Sequence, residues 1–394
     1  MRLLFVVDGR SPIALNWIAH FTRQGHEVYL ASTYPAHPDL DLAGLYTIPV
    51  ALSQAAGDTP AGTSGSKGGR GMRRFVPVGL RTRLRQWLGP ATLSAAARSL
   101  QRILEQVQPD LVHAMRIPYE GMLAALANPG APLLISVWGN DFTLHAPATL
   151  RMNSLTRQAL ARADALHADC RRDIRLANEW GFSQEKPFTV LPGGGGIQLD
   201  IFYPPPDDGA RPPLAFNPRG MRAYLRNDVF FKAIPLVLKR HPDTRFACAS
   251  MAGEAQAERW LQTLGVAANV TLLPPMPRLQ MADWYRQAQV LVSPSIHDGT
   301  TNTVLEGMAC GCFPVVGDIE SLREWITPGV NGLLVDPADP QALADAILHA
   351  LDQPGLRQSA SVHNRQLVAA RAEYGLVMQQ AEQFYEHIVE TLRR

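Results

Sequence analysis

Short apolar runs alternate with amphipathic stretches along the whole chain. Residues 3–7 (Leu-Leu-Phe-Val-Val) read as a buried strand, and Gly9-Arg10-Ser11 reads as a turn. Residues 13–23 carry a helical pattern, Gly25-His26-Glu27 breaks it, and residues 28–31 resume as a strand. This is a βαβ unit. The same alternation returns at 111–114, 133–138 and 165–168. Continuous apolar strands separated by helices imply a parallel sheet covered on both faces.

The richest Gly/Pro stretch lies at 187–214, and it places a domain linker at about 203–213. A second α/β series follows. Its strand candidates are 214–217, 245–249, 270–273, 290–292 and 313–316, and its helix candidates are 230–241, 255–264, 281–289, 303–309 and 340–351. Residues 365–392 read as one long helix that reaches back across the linker. The expected organisation is therefore a domain over 1–203, with the helix at 376–394 packing back on it, and a second domain over 204–375. Residues 55–71 are rich in Gly, Ser, Thr and Pro without apolar spacing. They read as a loop, either a lid over a site or a tolerated insertion.

Composition narrows the class. The 394 residues are enough for two or three domains. Charged residues make up only 18%, which excludes disorder for most of the length. No apolar run reaches the length of a membrane span. The net charge of +2 excludes a dedicated nucleic-acid polycation. The charge is uneven, however. Residues 51–100 hold eight basic residues against Asp58 alone. Arg70, Arg73, Arg74, Arg81, Arg83 and Arg85 there are interleaved with Phe75, Leu84, Trp87 and Leu88. Three readings fit the stretch 70–88: peripheral contact with anionic lipid, a pocket for a phosphorylated acceptor, or a packed helix with solvated arginines. Cys170, Cys248, Cys310 and Cys312 are too scattered for a disulfide framework and read as buried thiols. With no secretory leader at the start, a reducing, cytoplasmic compartment is the expectation.

The sharpest chemistry lies in residues 293–311. Ser293-Pro294-Ser295 ends a strand, a polar loop holds Asp298 and Gly299, and a helix begins near Thr301. Ligands in open α/β sheets bind outside the carboxyl ends of strands, and a helix N-terminus there suits phosphate. Glu306 lies four residues past Asn302, so the two share a helix face. Glu306 can then accept hydrogen bonds from two ribose hydroxyls. A basic loop, Arg219-Gly220-Met221-Arg222 through Arg226, follows the first strand of the second series. Guanidinium groups suit a diphosphate because each can donate twice.

These segments resemble the retaining family 4 glycosyltransferases, the glycosyl transferases group 1. Pro294-Ser295, Asp298-Gly299, Leu305-Glu306-Gly307-Met308-Ala309-Cys310-Gly311 and Pro314-Val315-Val316 carry the resemblance. Gly329-Val330-Asn331-Gly332-Leu333-Leu334-Val335 extends it. Pro109-Asp110-Leu111-Val112-His113, Trp138-Gly139-Asn140-Asp141 and Ala163-Asp164-Ala165 carry a looser one. The resemblance implies the GT-B fold: two facing Rossmann-like α/β domains with parallel sheets and a cleft between them. It implies a hexosyltransferase-type enzyme that moves a sugar from a nucleotide diphosphate sugar to an acceptor hydroxyl with retention. Arg219 and Arg226 would stabilise the departing diphosphate, aided by Gly299, Thr300, Thr301, Asn302, Thr303 and Arg222. Glu306 would hold the ribose, and Asp298 and Asp141 would orient the sugar. Arg10 would face the donor phosphate, and Trp138 would wall the sugar. No cofactor and no metal are expected, because the arginines take the place of a divalent cation. The expected partners are the nucleotide sugar and an acceptor that includes lipid-linked or phosphorylated sugars among its candidates, with no nucleic acid.

Three positions depart from the family pattern. Asp298 stands where the family has Glu, Trp138 where it often has His, and Gly193-Gly194-Gly195-Gly196 where it has an Asn-containing turn. Two other readings stay open on the same scaffold: a non-catalytic nucleotide-sugar binding protein and a nucleotide-sugar epimerase.

Overall fold

The structure, a computed structural model, describes residues 1–50, 78–205 and 212–392. The expected loop at 55–71, residues 70–77 of the basic stretch 70–88 and residues 206–211 of the expected linker lie outside the described residues, as do the side chains of 78–83. Chain contacts define two units, residues 1–196 with 376–394 and residues 197–375. The chain passes from one to the other at 196–197, ahead of the proline-rich stretch at 203–213.

The first unit is a seven-stranded parallel sheet in the order β3-β2-β1-β4-β5-β6-β7. Its strands are β1 (Arg2–Val7), β2 (Glu27–Ser32), β3 (Gly44–Thr47), β4 (Leu111–Ala114), β5 (Leu133–Val137), β6 (Ala165–Ala168) and β7 (Phe188–Val190). The four strands β1, β4, β5 and β6 are buried almost throughout, as their continuous apolar sequence requires. The edge strands β3 and β7 lack such a run and are half-exposed. That is why the apolar pattern does not reveal them. Helix α2 (Val78–Val107), which follows α1 (Pro12–Arg23), begins inside the stretch for which a packed helix is one reading and continues through 89–107, which the pattern leaves unassigned. Leu93, Ala96, Ala97, Leu100, Ile103 and Val107 are its buried stripe, recurring every three or four residues with both Ala96 and Ala97 on it.

A buried polar chain crosses this sheet. Trp17 donates from Nε1 to Tyr385 Oη (2.9 Å), and Tyr385 pairs with His113 Nδ1. His113 Nε2 meets Ser136 Oγ (2.7 Å), Ser136 Oγ meets His167 Nδ1 (2.7 Å), and His167 Nε2 meets the Leu191 carbonyl (2.9 Å). The carbonyl can only accept, so His167 carries its proton on Nε2. Burial holds both imidazoles neutral: His167 is lowered to about 4, and His113 well below the usual range. The donors then run one way, from the Trp17 indole through Tyr385, His113, Ser136 and His167 to Leu191. Every member is satisfied, which is the condition for a buried network to specify a packing. Glu382 adds contacts with His20 (3.2 Å) and His26 (2.8 Å).

The second unit is a six-stranded parallel sheet in the order β10-β9-β8-β11-β12-β13. The strands are β8 (Leu214–Asn217), β9 (Arg245–Cys248), β10 (Val270–Leu272), β11 (Val290–Ser293), β12 (Phe313–Gly317) and β13 (Leu333–Val335). Phe216, Phe230, Phe231, Phe246 and Phe313 are fully buried around it. The C-terminal region is not the single helix over 365–392 that the spacing predicts. One helix covers Pro354–Ala372 and the next covers Tyr374–Leu392. Glu373 between them is extended, with φ −62° and ψ 136°. Ile197 holds the break by donating to the Ala372 carbonyl (2.7 Å) and accepting from the Tyr374 N–H (3.0 Å). No helix among the described residues is long and apolar enough to cross a membrane.

Candidate functional site

Both sheets share one strand order, with the chain turning outward in opposite directions from the first strand. The switch points lie between β1 and β4 in the first unit and between β8 and β11 in the second. Open α/β sheets bind ligands at the carboxyl ends of those strands.

In the second unit, β8 ends at Asn217, which builds the loop after it. Asn217 Oδ1 accepts from the Arg219 N–H (3.1 Å), and its amide donates to Asn227 Oδ1 (3.0 Å). Asn227 in turn donates to the Gly220 carbonyl (3.2 Å). The loop after β11 docks on this one, as the Ile296 N–H donates to the Tyr224 carbonyl (2.9 Å). Arg219 Nη1 donates to Asp298 Oδ2 (2.5 Å), and the Ser295 hydroxyl donates to the same oxygen. Ser321 Oγ donates to the Asp298 carbonyl (2.6 Å). Gly317 permits this packing, since a Cβ there would lie 2.3 Å from the Ser295 carbonyl oxygen. The buried Asp298 is therefore a fixed carboxylate facing Arg219.

The next helix, Asn302–Ala309, begins at the cap residue Thr301 with no side-chain cap and no acid in its first turn. Its leading N–H groups have no partner within the helix. Asn302 Oδ1 and Thr303 Oγ1 are buried without a hydrogen-bond partner. Gly299, Thr300 and Thr301 are buried just ahead, with Thr300 Oγ1 accepting from Trp325 Nε1 (3.1 Å). Such a terminus favours an anion. One turn further, Glu306 accepts from the Tyr285 hydroxyl (3.2 Å). Burial pushes its carboxyl up to about 7, against the smaller opposing pull of Arg278 and Tyr285. Arg219, Asp298, Thr300–Thr303 and Glu306 thus lie along one strand-loop-helix edge. Arg222 is exposed. Arg226 sits in the left-handed conformation (φ 47°) ahead of helix Asn227–Leu238 and pairs doubly with Asp228 (3.0 and 3.1 Å).

In the first unit, Gly9 lies against Ser32: its N–H donates to Ser32 Oγ (3.0 Å), and a Cβ would come within 2.8 Å. Ser32 Oγ donates onward to the Tyr34 carbonyl (2.5 Å). The turn after β1 and the turn after β2 are thereby pinned together. Arg10, held doubly by Asp8 (3.0 Å each), stacks over the Tyr34 ring at 3.7 Å. Asp141 does not offer a free carboxylate as expected from the sequence. One oxygen accepts from Arg116 Nε (2.8 Å), and the other accepts from the N–H groups of Ile117 (3.3 Å) and Trp138 (3.1 Å). It shapes the turn after β5 instead. Trp138 lies under the Arg116 guanidinium at 5.7 Å, and its buried indole N–H has no hydrogen-bond partner. Asp169, Cys170 and Asp173 bring ligand-type atoms within 4.8 Å of one another. Arg172 donates twice to Asp173 there (2.9 and 2.7 Å) and supplies the positive charge. All four cysteines are free and buried.

Sequence reasoning missed Tyr285, Ser321 and Trp325 in the second unit, and Tyr34, Tyr119 and Arg116 in the first, and it gave Ser295 no role beyond its place in the motif. Arg116 lies two residues past the end of β4, at the switch point, so the strand order would have found it.

Two parallel α/β units with this order define the GT-B class of fold, and solved structures agree. Sucrose-phosphate synthase from Thermosynechococcus elongatus matches with TM-score 0.76 at 18% identity, over 98% of this chain and 99% of that one. Anabaena HepE in complex with UDP matches with TM-score 0.70 at 14% identity, over 98% and 100%. Family models match twice: glycosyl transferases group 1 over residues 220–353 and glycosyl transferase 4-like domain over residues 9–194. The chain belongs to the glycosyl transferases group 1, family 4. D-inositol 3-phosphate glycosyltransferase from Thermobispora bispora is 30% identical over 221 residues, 50% of each chain. The enzyme of that name from Kribbella flavida is 28% identical over 310 residues, 68% of this chain and 70% of that one. The match spans about half the length of the first of these curated relatives.

Proposed function

We propose that the chain is a retaining, metal-independent glycosyltransferase that moves a sugar from a nucleoside diphosphate sugar to an acceptor hydroxyl. The observation that carries this reading is the edge of the second unit. An uncapped helix N-terminus, with Asn302 Oδ1 and Thr303 Oγ1 unpartnered, stands beside Arg219, and Glu306 lies one turn along the same helix. The Anabaena HepE structures that share the fold hold UDP, UDP with glucose, or UDP-glucose.

Glu306 accepts the ribose hydroxyls in its ionised form. Arg219, the Thr301–Thr303 amides and Arg226 act on the diphosphate. Asp298 positions Arg219 and lies on the side of the sugar. In the transfer, the bond from the sugar's anomeric carbon to the phosphate oxygen breaks. The acceptor oxygen bonds to that carbon on the same face, and its proton passes to the departing phosphate. Charge grows on the leaving group, where fixed guanidinium and amide donors act most strongly. These donors take over the charge role that a metal plays elsewhere. Peripheral contact with anionic lipid through 70–88 fits the exposed Leu84, Trp87 and Leu88 on one face of α2.

The test is turnover of UDP-glucose, GDP-mannose and ADP-glucose in EDTA, with the anomeric configuration of released sugar read by NMR. Retained configuration with activity in EDTA supports the reading. Loss of all turnover in EDTA with recovery on added Mg²⁺ contradicts the metal-independent mechanism, and an inverted product contradicts retention.

A further inference from the structure

One neighbouring helix, Arg278–Gln287, brings two groups to Glu306. Arg278 and Tyr285 stand seven residues apart, two turns along one face. The Tyr285 hydroxyl donates to Glu306 Oε2 (3.2 Å), and the Arg278 charge acts on the same carboxyl. Glu306 is half-buried, and its Oε1 makes no hydrogen bond among the described residues and is not enclosed. One oxygen is therefore held by the protein, and the other is open to a ligand.

Both partners are braced. Tyr285 is fully buried, and its ring meets Phe216 edge-on at 5.2 Å and Phe202 at 6.1 Å. Its carbonyl accepts from Cys312 Sγ (3.0 Å). Gly307 lets the helix of Glu306 lie close, since a Cβ there would come within 3.4 Å of the Tyr285 ring and 2.5 Å of Leu291. Arg278 donates to Gln198 Oε1 (3.0 Å) and lies over the Phe202 ring at 5.4 Å. Phe202 thus supports both groups. Cys310 and Cys312 are the other titratable groups at the pair. Burial pushes the Cys310 thiol up, so it brings no charge, and Arg286 and Arg365 act on that thiol.

Burial pushes the Glu306 carboxyl up to about 7, so Arg278 and Tyr285 decide how much of it is charged near neutral pH. A charged carboxylate accepts at both oxygens, whereas a protonated one turns one oxygen into a donor. We propose that Arg278 and Tyr285 are positioning residues for the nucleotide's ribose, holding Glu306 as a two-oxygen acceptor so that the paired hydroxyls are recognised in a proton-dependent way. This rests on the reading that places ribose on Glu306.

The experiment is calorimetry of UDP and 2′-deoxy-UDP in EDTA, from about pH 6 to about pH 9. The ratio of the two dissociation constants isolates a ribose hydroxyl, because titration of the phosphates is common to both ligands. Wild type is compared with Tyr285→Phe, Arg278→Gln and Arg278→Lys. Wild type should prefer UDP about tenfold or more at the alkaline end, as expected for a hydrogen bond to a charged group. That preference should fall as pH drops below about 7. Tyr285→Phe and Arg278→Gln each remove a group that favours the charged form. Each should move the fall upward by about half a pH unit or more, and Arg278→Lys should keep the wild-type profile. Unchanged affinity for 2′-deoxy-UDP at the alkaline end shows that a variant is folded. Arg278 is half-buried and outside the core, so its two variants carry the test should Tyr285→Phe not fold.

An upward shift in the folded variants is the expected result. Coinciding ratio profiles in wild type and variants overturn the proposal. So does a loss that is equal for both nucleotides and constant with pH, which would make the two residues a frame for the helix. Wild type that binds UDP and 2′-deoxy-UDP equally at every pH would contradict the ribose placement, and the proposal with it. Binding of neither nucleotide would contradict the donor reading of the whole edge.

Discussion

The two units share a strand order and place an arginine in the turn after the first strand, yet they set it differently. Arg219 of the second unit reaches across its switch point to Asp298, in the turn after β11. Arg10 of the first unit is held by Asp8, on its own turn, and stacks on Tyr34. The second unit thus ties two strand ends into one rigid edge leading to a helix N-terminus. The first unit gathers aromatic platforms from several turns. A fixed cation beside a helix N-terminus suits a group that departs with growing negative charge. A cation already matched by its own acid and stacked on a ring shapes its turn instead.

The largest expected effect breaks this contrast at Arg219. Arg219→Ala should lower kcat for UDP-glucose turnover about 10²–10³-fold, the usual loss for a donor aimed at developing charge. Arg10→Ala removes a charge already matched by Asp8 and should leave kcat within about threefold. Equal kcat losses in both variants would erase the distinction between the units.

A second comparison concerns stability. Tyr385→Phe removes the acceptor of the Trp17 N–H and the donor to His113. It should destabilise the first unit by about 1–3 kcal/mol, because two buried polar groups lose a partner. Urea unfolding followed by hydrogen exchange should show faster exchange in 111–191 and none of it in 214–335. Uniform exchange loss would show that the chain across β4, β5 and β6 is not a local device.

How much of this was legible in the sequence differs between the units in the same way. The edge proposed for the donor is contiguous: Ser295, Asp298, Thr301, Asn302 and Glu306 lie within a dozen residues, and periodicity alone puts Asn302 and Glu306 on one face. The stacked cluster of the first unit joins Arg10, Tyr34, Arg85 and Tyr119, which are spread over more than a hundred residues. Only the sheet order brings them together. Likewise, buried strands announce themselves by apolar runs, whereas β3 and β7 are half-exposed edges. The break at Glu373 was invisible because the apolar period continues across it; the bridge from Ile197 sets it. Asp141 looked like a ligand by its place in the motif, but the N–H groups of Ile117 and Trp138 already claim it.

The smaller effects are pH-dependent and of opposite sign. Glu306 sits near 7 in the fold through burial, above its ordinary value of 4.5. The native state then binds more protons than the unfolded state between pH 4.5 and 7, and its contribution to stability falls as pH rises through that window. Glu306→Gln should therefore gain a few degrees in Tm over wild type between about pH 4.5 and 7 and hold that gain above it. His167 is lowered to about 4 from 6.5, so its contribution is full above 6.5 and is lost as pH falls toward 4. The cost of His167→Asn should accordingly shrink as pH falls through that range. Parallel trends in the two variants would contradict the assigned protonation states.

The most direct test of the account is calorimetric titration of UDP in EDTA on wild type and Glu306→Ala. Binding without metal, weakened tenfold or more by the substitution, is the result the account predicts. No binding to wild type, or equal affinity in the two proteins, would contradict the placement of the nucleotide on the helix Asn302–Ala309.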